Sequence, residues 1–403
     1  MSTLRMTTAG ESHGPAEICV VEGIPAGLAV STAQVDADLA RRQQGYGRGS
    51  RMAIESDRSR FLAGVRLGRT LGTPICLVVE NRDHFNWQDL MLAENRPDES
   101  GGAKPCLTVP RPGHADLSGL AKYDHDDIRN VLERASARET VGRVAGGAIC
   151  RLLLEELGVA VRGRVIGIGS SRTSASSDFS HPHAIDWEAV EASPVRCEDA
   201  VAALAMCEAI DRARDAGESL GGVFEIWCWG LCPGLGGYGS PQDRLDGRLL
   251  GALASIPAIK GVEIGDAFAN AERPGSKVHD PLFVQRDQRG SWITRKTNRA
   301  GGIEGGMSTG MPVVLRAAMK PIPTLTTPLD SVDVATLEPT LANVERSDVT
   351  AVPAAEVVGE AMVAYVLAAT YLEKFGGDSL EQLRGSVLTY ESVLGDRGLW
   401  RRF

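Results

Sequence analysis

The stretch GESHG at residues 10–14 returns as GESLG at residues 217–221, and this repeat decides the fold class. A second pair of segments shares its glycines in the same way, residues 64–72 with residues 302–310. Internal duplication predicts a fold built from two similar halves, here about 1–160 and 215–376. The fourth residue of the first motif is histidine in one copy and leucine in the other, which marks where the halves diverge in chemistry.

The pattern of apolar, capping and turn residues predicts an α+β fold in one domain over residues 1–394. Ser31 and Gln34 have the spacing of a helix capping box, and Gly45 ends that helix. Strands are predicted at 16–22, 74–80 and 223–231, and helices at 31–43, 126–157, 243–254, 354–374 and 378–394. Loops are predicted at 45–51, 84–104 and 170–180, and a disordered tail at 395–403.

Composition excludes several classes of protein. The 403 residues are 43% hydrophobic and carry a net charge of −9, so the bulk surface does not attract nucleic acid or anionic membranes. Eight cysteines are too few for a disulfide scaffold and lack the spacing of a zinc site, so no metal is predicted. The apolar run 357–372 contains Glu360 and is too short to span a bilayer, which indicates a core helix. With no secretory signal, the expected location is cytoplasmic.

Two of the histidines lie in tight glycine turns. His13 is the histidine of GESHG, and His114 follows Pro112-Gly113 in the segment RPGHAD at 111–116. Imidazoles presented on such turns suit general acids near neutral pH. A histidine that merely occupies a turn is the alternative for each motif taken alone.

Arginines gather at glycine-rich segments although the protein is acidic. Arg41, Arg42, Arg48 and Arg51 lie within eleven residues, and further basic residues follow near 134–143, 296–299, 320 and 346. This pattern predicts an anionic ligand in a cleft. Solvated surface arginines, or cations that favour a helix C-terminus, remain the alternative. The glycine-rich segment 296–306 is not a P-loop, because it lacks the Gly-Lys-[Ser/Thr] ending.

Six motifs in order resemble the chorismate synthase family from the N-terminus to about residue 390. They are GESHG at 10–14, GYGRG at 45–49, RPGHAD at 111–116, RASARET at 134–140, NRAGGIEGG at 298–306 and RSD at 346–348. The resemblance implies a β-α-β sandwich and a homotetramer. It also implies conversion of 5-enolpyruvylshikimate 3-phosphate to chorismate and phosphate, a 1,4-anti elimination without net redox change that uses reduced FMN. Whether the chain reduces its own flavin with NADPH or relies on an external flavin reductase stays open.

The resemblance also implies roles for individual residues. His13 would protonate the departing phosphate, His114 would protonate the flavin near N1, and Asp348, helped by Ser12, would relay the proton at N5. Arg42 and Arg48 match the positions for substrate and NADPH. The flavin-binding positions match Arg134, Ala135, Ser136, Pro257, Ala258, Gly305, Lys320, Pro321, Ile322, Pro323, Thr324 and Arg346. Because both halves contribute residues, the site is expected between them.

Two prolines depart from the family pattern. Pro257 stands where asparagine or glutamine is usual, and Pro323 stands where serine is usual. Each proline removes a backbone N–H and a polar side chain, so weaker flavin binding or a rearranged phosphate pocket is expected in a still active enzyme. An inactive anion-binding paralogue and a flavin-dependent oxidoreductase are the alternatives. No Rossmann glycine fingerprint supports the oxidoreductase.

Overall fold

The computed structural model describes residues 4–49, 56–94, 106–173, 179–288, 290–344 and 348–402. The first half contains β1 Arg5–Ala9, β2 Ala16–Glu22, α1 Thr32–Gln43, β3 Ser59–Ala63, β4 Val65–Arg66, β5 Arg69–Thr70, β6 Ile75–Glu80, α2 Asp116–Tyr123, α3 Arg129–Ala135 and α4 Thr140–Glu156. A connecting region contains β7 Ala160–Ile168, β8 Ser171–Arg172, α5 Trp187–Ala192 and α6 Ala200–Asp215. The second half contains β9 Gly222–Trp229, α7 Leu245–Ala254, β10 Ile259–Ile264, α8 Ala267–Ala271, β11 Leu282–Asp287, β12 Gly290–Arg295, β13 Ile303–Glu304, β14 Met307–Ser308, β15 Val313–Met319, β16 Asp330–Asp333, β17 Glu338–Leu341, α9 Val352–Phe375 and α10 Leu380–Asp396.

Two antiparallel sheets enclose two long helices, which makes this a mixed α+β fold. The strand order is β1-β2-β6-β3 in one sheet and β10-β15-β9-β7-β8 in the other. Helix α4 packs on β1, β2 and β6, α9 packs on β7 and β9, and the two helices pack on each other. Each sheet thus covers one helix, and the two helices meet at the centre.

The repeated sequence segments adopt the same local structure. The hairpin of β4 and β5 and the hairpin of β13 and β14 lie 238 positions apart and pair in the same register. Isolated bridges join Ala29 to Arg69 and Gly236 to Met307, again at equivalent positions. Strands β2 and β9, 207 positions apart, each pair with a strand that follows such a hairpin.

The two central helices approach each other closely. At Gly147 of α4 an added Cβ would lie 2.4 Å from the Cβ of Ala361 on α9, so only glycine allows this spacing. Helix α9 is long and apolar enough to cross a membrane by length and composition, yet 94% of its most apolar window is buried inside the protein. The prediction of a core helix over this run is therefore confirmed.

Buried ion pairs fix α9 against its neighbours. Glu360 accepts hydrogen bonds from Arg41 at 2.6 and 2.8 Å and from the backbone N–H of Gly163 at 2.7 Å. Arg196 binds the neighbouring carboxylate of Glu356. Arg41 is therefore structural, whereas its sequence cluster had suggested an anion site.

Several predictions of local structure are wrong. The loop predicted over 170–180 contains strand β8, Ser171–Arg172, which pairs with β7. The helix predicted over 126–157 is interrupted at Ser136, whose ψ of 146° is extended and whose side chain caps the backbone N–H of Arg138. Residues 395–402 do not form a disordered tail. Helix α10 continues to Asp396, Trp400 is buried, and Arg402 donates to the carbonyl of Leu157 at 2.6 Å, so packing orders this end.

Candidate active site

A cavity of about 840 Å³ lies at the N-terminal ends of the two central helices. Thr140, the first residue of α4, and Ala354, Ala355 and Val358 in the first turns of α9 form its floor. Backbone N–H groups at helix N-termini favour anions, so the position itself suits a negatively charged ligand. Both halves of the chain line the cavity.

His13 lines the cavity and is held by a buried carboxylate. Its ring Nδ1 lies 2.9 and 3.0 Å from the two carboxylate oxygens of Glu133, and its backbone N–H donates to the same group at 2.8 Å. Asn81 fixes the turn by donating to the carbonyls of Ser12 and Gly14, both at 2.9 Å. The imidazole is therefore fixed through its side chain and its backbone.

One face of the His13 ring is covered by an aromatic residue. The ring centroid of Trp87 lies 3.9 Å from that of His13, and the guanidinium of Arg129 lies 5.3 Å from the Trp87 centroid. Trp87 belongs to the loop predicted at 84–104, for which no function was predicted. Residues 95–105 lie outside the described residues. Its indole shields the imidazole from water on that side.

His114 also lines the cavity, and a carboxylate holds it as well. Its Nδ1 contacts Asp116, which is fully buried. Arg111 donates to Asp116 through Nε at 2.9 Å and through a terminal nitrogen at 3.1 Å. Burial raises the pKa of Asp116, but the hydrogen bonds from His114 and Arg111 lower it more, so the net pKa lies well below its usual range. Arg111 also reaches the hydroxyl of Thr324 at 3.4 Å, which ties this loop to the second half.

Asp348 enters the cavity from the second half and is bound by the arginine-glycine loop. It accepts a hydrogen bond from the backbone N–H of Gly49 at 2.6 Å, and its other oxygen lies 2.9 Å from Arg48. Elsewhere in the cavity lining the hydroxyl of Ser136 donates to that of Ser12 at 3.1 Å. The break at Ser136 therefore brings a hydroxyl to the cavity where a continuous helix was predicted.

The cavity wall is cationic although the protein is acidic. Arg42 donates to the Thr140 hydroxyl at 2.9 Å and to the Ala137 carbonyl at 3.1 Å. Arg138 pairs with Asp57 at 2.9 Å. Among the described lining residues, six are cationic and two are acidic: Arg42, Arg48, Arg111, Arg129, Arg138 and Lys320 against Asp83 and Asp348. This excess favours a ligand with several negative charges.

The second half contributes residues 256–258 and 319–324. Ala258 has a φ of 67°, unusual for a residue with a side chain, and its carbonyl accepts from the Lys320 N–H at 3.0 Å. The Lys320 amine donates to the carbonyl of Gly113. Gly113 has a φ of 81°, which favours glycine, and an added Cβ would lie 3.3 Å from that amine, which could shift to make room. Burial lowers the pKa of Lys320, as does, to a smaller extent, the charge of Lys260.

The second copy of the repeated motif, GESLG at 217–221, packs against these lining residues. The Ser219 hydroxyl donates to the Ile322 carbonyl at 2.6 Å, and the Leu220 N–H donates to the Val349 carbonyl at 2.8 Å. Gly221 lies so close to Met319 that a Cβ would be 2.2 Å from its carbonyl oxygen. The copy without histidine thus contacts residues 319–322 and Val349, next to Asp348, and both segments contribute to the cavity lining.

Most of the predicted site residues meet in this cavity. The lining includes Ser12, His13, Arg42, Arg48, His114, Ala135, Ser136, Pro257, Ala258, Lys320, Ile322, Pro323, Thr324 and Asp348. Pro321, Arg134 and Gly305 are not among the lining residues. Arg134 binds the carbonyls of Thr8 and Gly10, both at 3.0 Å, and Gly305 lies in the exposed β13–β14 turn. Arg346 and Arg51 lie outside the described residues.

Sequence reasoning missed the partners of the two histidines. Glu133 directly precedes the motif at 134–140, but nothing in its position pointed to His13. Trp87 and Arg129 were missed for the same reason. Arg111 and Asp116 belong to the recognised motif at 111–116. Only the structure shows that both contact His114 Nδ1 and that they also bind each other.

The fold and this cavity define a class: a two-sheet α+β protein whose cationic cavity contains two histidines, each bound to a buried carboxylate. A family model described as chorismate synthase matches residues 4–372. Chorismate synthase of Desulforudis audaxviator is 56% identical over 384 residues, covering 94% of this chain and 95% of the relative. Chorismate synthase of Trichlorobacter lovleyi is 52% identical over 399 residues, covering 98% and 100%. A crystal structure of chorismate synthase matches with a TM-score of 0.79 at 39% identity, covering 98% of this chain and 99% of that one.

The chain belongs to the chorismate synthase family. It is an enzyme of that type, a carbon–oxygen lyase of the shikimate pathway that serves aromatic amino-acid biosynthesis. The resemblance drawn from the six motifs is confirmed.

Proposed function

We propose that this cavity converts 5-enolpyruvylshikimate 3-phosphate into chorismate and phosphate by a flavin-assisted 1,4-anti elimination. The observation that supports it is the grouping of His13, His114 and Asp348 in one cavity with an excess of cationic side chains. The substrate carries a phosphate and two carboxylates, and arginine binds such groups through two N–H donors at once. Arg42 and Arg48 bind the anionic substrate, and Arg48 also fixes Asp348.

His13 supplies the proton for the departing phosphate. The allylic carbon–oxygen bond breaks with its electron pair on oxygen, and protonation of that oxygen makes phosphate a better leaving group. Glu133 and Trp87 hold the imidazole in place and keep water away from one face, so the proton is delivered from a fixed position.

The residues of the cavity fit a reduced FMN. Leu132, Ile256, Met319, Ile322 and Val358 offer apolar surface suited to a planar ring system, and Lys320 offers an amine for a phosphate. When bound, the reduced flavin supplies an electron-rich ring that donates charge transiently as phosphate leaves. Ala135, Ser136, Pro257, Ala258, Pro323 and Thr324 would contact it by the family pattern, with Arg134, Gly305, Pro321 and Arg346 outside the described lining.

Two further residues handle protons at the cofactor. His114 holds a proton at N1, and Asp116 keeps its imidazole oriented through Nδ1. Asp348, helped by Ser12, would take up a proton at N5 of the bound flavin, and the Ser12 hydroxyl itself accepts from that of Ser136 at 3.1 Å. The hydrogen lost by the substrate is weakly acidic, so a lone base would not suffice, and His114 and Asp348 would act together with the electron-rich ring that a bound flavin would supply.

Pro257 and Pro323 line the cavity and weaken, but do not abolish, flavin binding. Each lacks an N–H, yet the carbonyl of Ala258 and the amine of Lys320 remain in place beside them. The inactive paralogue is disfavoured, because the histidines and Asp348 keep their hydrogen-bond partners.

The proposal also covers the arrangement of the two halves, the oligomeric state and the reductant of the flavin. The matching hairpins and bridges support two pseudo-repeated halves of a β-α-β sandwich in a single domain. By family likeness, the protein is a cytoplasmic homotetramer, and its flavin is reduced by NADPH or by an external flavin reductase.

Chorismate formation with photoreduced FMN under anaerobic conditions tests the function. The expected result is turnover without NADPH consumption and a spectral change of the flavin that requires substrate. His13→Ala and His114→Ala should each lower kcat by about 10²–10⁴-fold while binding persists. Tight substrate binding with no turnover in the unmodified protein would establish the inactive paralogue, and NADPH oxidation in proportion to product would establish the oxidoreductase.

A further inference from the structure

We infer that Glu133 is the positioning residue of His13 and fixes which ring nitrogen acts as the acid. The inference rests on the proposed function, since it concerns the group assigned to the departing phosphate. One carboxylate binds both the ring Nδ1, at 2.9 and 3.0 Å, and the backbone N–H of the same histidine, at 2.8 Å. Such double contact restrains the side-chain torsions of His13 as well as its backbone.

Helix α3 holds the GESHG turn by two routes. The Glu133 side chain contacts His13, and the Glu133 backbone carbonyl accepts from the Ser12 N–H at 2.9 Å. Glu133 is 3% exposed, so it has little freedom to exchange these partners for water. The side chain therefore holds both the imidazole and the backbone N–H of His13, while the backbone carbonyl anchors the turn a second time at Ser12.

Glu133 carries its charge in the folded protein. Burial raises its pKa, but the hydrogen bonds and charge of His13 lower it more, and Arg129 at 3.4 Å adds to the lowering, so the net pKa lies below its usual value. An ionised carboxylate only accepts hydrogen bonds. Nδ1 must then be the donor in this contact, which assigns the proton on that nitrogen.

The tautomer has a consequence for catalysis. With Nδ1–H bound to Glu133, Nε2 is the nitrogen that delivers and regains the transferred proton. A carboxylate that fixes the opposite ring nitrogen orients the imidazole and stabilises its protonated form. The second histidine also has a buried carboxylate at Nδ1, that of Asp116, but there the Arg111 guanidinium lies 3.2 Å from the same nitrogen.

Charged and titratable groups from two elements surround His13. Glu133 and Arg129 belong to α3, while His84 and Asp83 follow β6. The His84 ring donates to the backbone carbonyl of His13 at 2.9 Å, and Asp83 lines the cavity. Glu133 contacts the imidazole itself, through Nδ1.

The decisive variant is Glu133→Gln, which keeps the shape and one acceptor but removes the charge. We expect kcat to fall by about 10–100-fold, with KM within about threefold. The limb of the pH–rate profile that reports loss of the acid should move to lower pH, because a neutral amide no longer favours an imidazolium beside it. Glu139→Gln is the matched control, a buried carboxylate near by that pairs with Arg143 at 3.0 Å, and it should leave kcat and the profile unchanged.

A double-mutant cycle separates positioning from structure. If Glu133 acts through His13, adding Glu133→Gln to His13→Ala should lower the remaining rate by less than about twofold. A full additional loss in that background, or an unshifted pH profile with wild-type kcat, would overturn the inference. Absence of chorismate formation by the wild-type protein would refute the proposed function instead.

A measurement on the unmodified chain guards against variants that fail to fold. Two-bond ¹H–¹⁵N spectra of the histidine rings distinguish the two tautomers, and the His13 signals are those missing from His13→Ala. We expect the Nδ1–H form above the pH of titration. The Nε2–H form would contradict the inference without reference to any activity.

Discussion

Replacing Gly147 by alanine should destabilise the protein, although alanine is the better helix former. Gly147 lies within α4, where it faces Ala361 of α9. A methyl group at residue 147 would lie 2.4 Å from the Cβ, 2.7 Å from the Cα and 2.8 Å from the carbonyl oxygen of Ala361. Carbon atoms prefer separations of about 3.5–4.0 Å, so the helices would have to part by about 1 Å.

The two opposing effects differ in size. Alanine gains about 1 kcal/mol over glycine in a helix interior. Overpacking a close-packed core costs about 1–3 kcal/mol, and the upper end applies here because two of the three clashing atoms are backbone and cannot rotate away. The expected result for Gly147→Ala is a net loss of about 2 kcal/mol in the free energy of unfolding.

Urea unfolding at equal protein concentration measures this loss. Gly385→Ala is the control, because Gly385 lies in α10 with no atom within 4 Å of an added Cβ, and it should gain up to about 1 kcal/mol. Adding Ala361→Gly to Gly147→Ala should restore only part of the loss, since the Cα and oxygen of residue 361 remain. A Gly147→Ala protein as stable as the Gly385 control would refute the reasoning on helix spacing.

Three further predictions follow from the same structure. Burial raises the pKa of Glu17 to about 7, so the native state keeps a proton that the unfolded chain releases above pH 4.5. The free energy of unfolding should therefore fall as pH rises from 4.5 to 7, by up to about 3 kcal/mol, and Glu17→Gln should lack this fall in urea titrations across that range. Trp400→Ala should cost about 3 kcal/mol by the same assay, because the indole is buried, whereas a disordered tail would show no change. Arg111→Lys should lower kcat/KM about tenfold by loosening Asp116 behind His114, and an unchanged value in the chorismate assay would argue against that linkage.

Local signals in the sequence were sufficient for much of the fold. The Ser31 hydroxyl accepts from the Gln34 N–H at 3.3 Å and begins α1, as the capping box predicted. Strand β2 has the predicted bounds, because its side chains alternate between faces. Ser136 was misjudged because its neighbours are good helix formers, and contacts made with residues far along the chain break the helix there.

Part of the candidate site was also predictable from local sequence motifs, and part was not. The sequence motifs predicted His13, His114 and Asp348 as catalytic residues, and in the structure all three line the same cavity. Glu133 and Trp87 reach His13 across long separations in sequence, and no local pattern encodes such contacts. Trp400 was misplaced for the same reason, since it packs beside Gly310, far away in the chain.

The two copies of the duplicated motif, GESHG at 10–14 and GESLG at 217–221, differ in function, and this affects which substitutions lower activity. The copy that contains Leu220 has no imidazole, yet it binds Ile322, which lines the cavity, and Val349, which follows the lining residue Asp348. The same turn sequence thus has two uses in this protein. One copy places the His13 imidazole in the cavity, and the other supports the cavity lining through Ile322. Substitutions at Ser219 should accordingly register in turnover although that residue never meets the substrate.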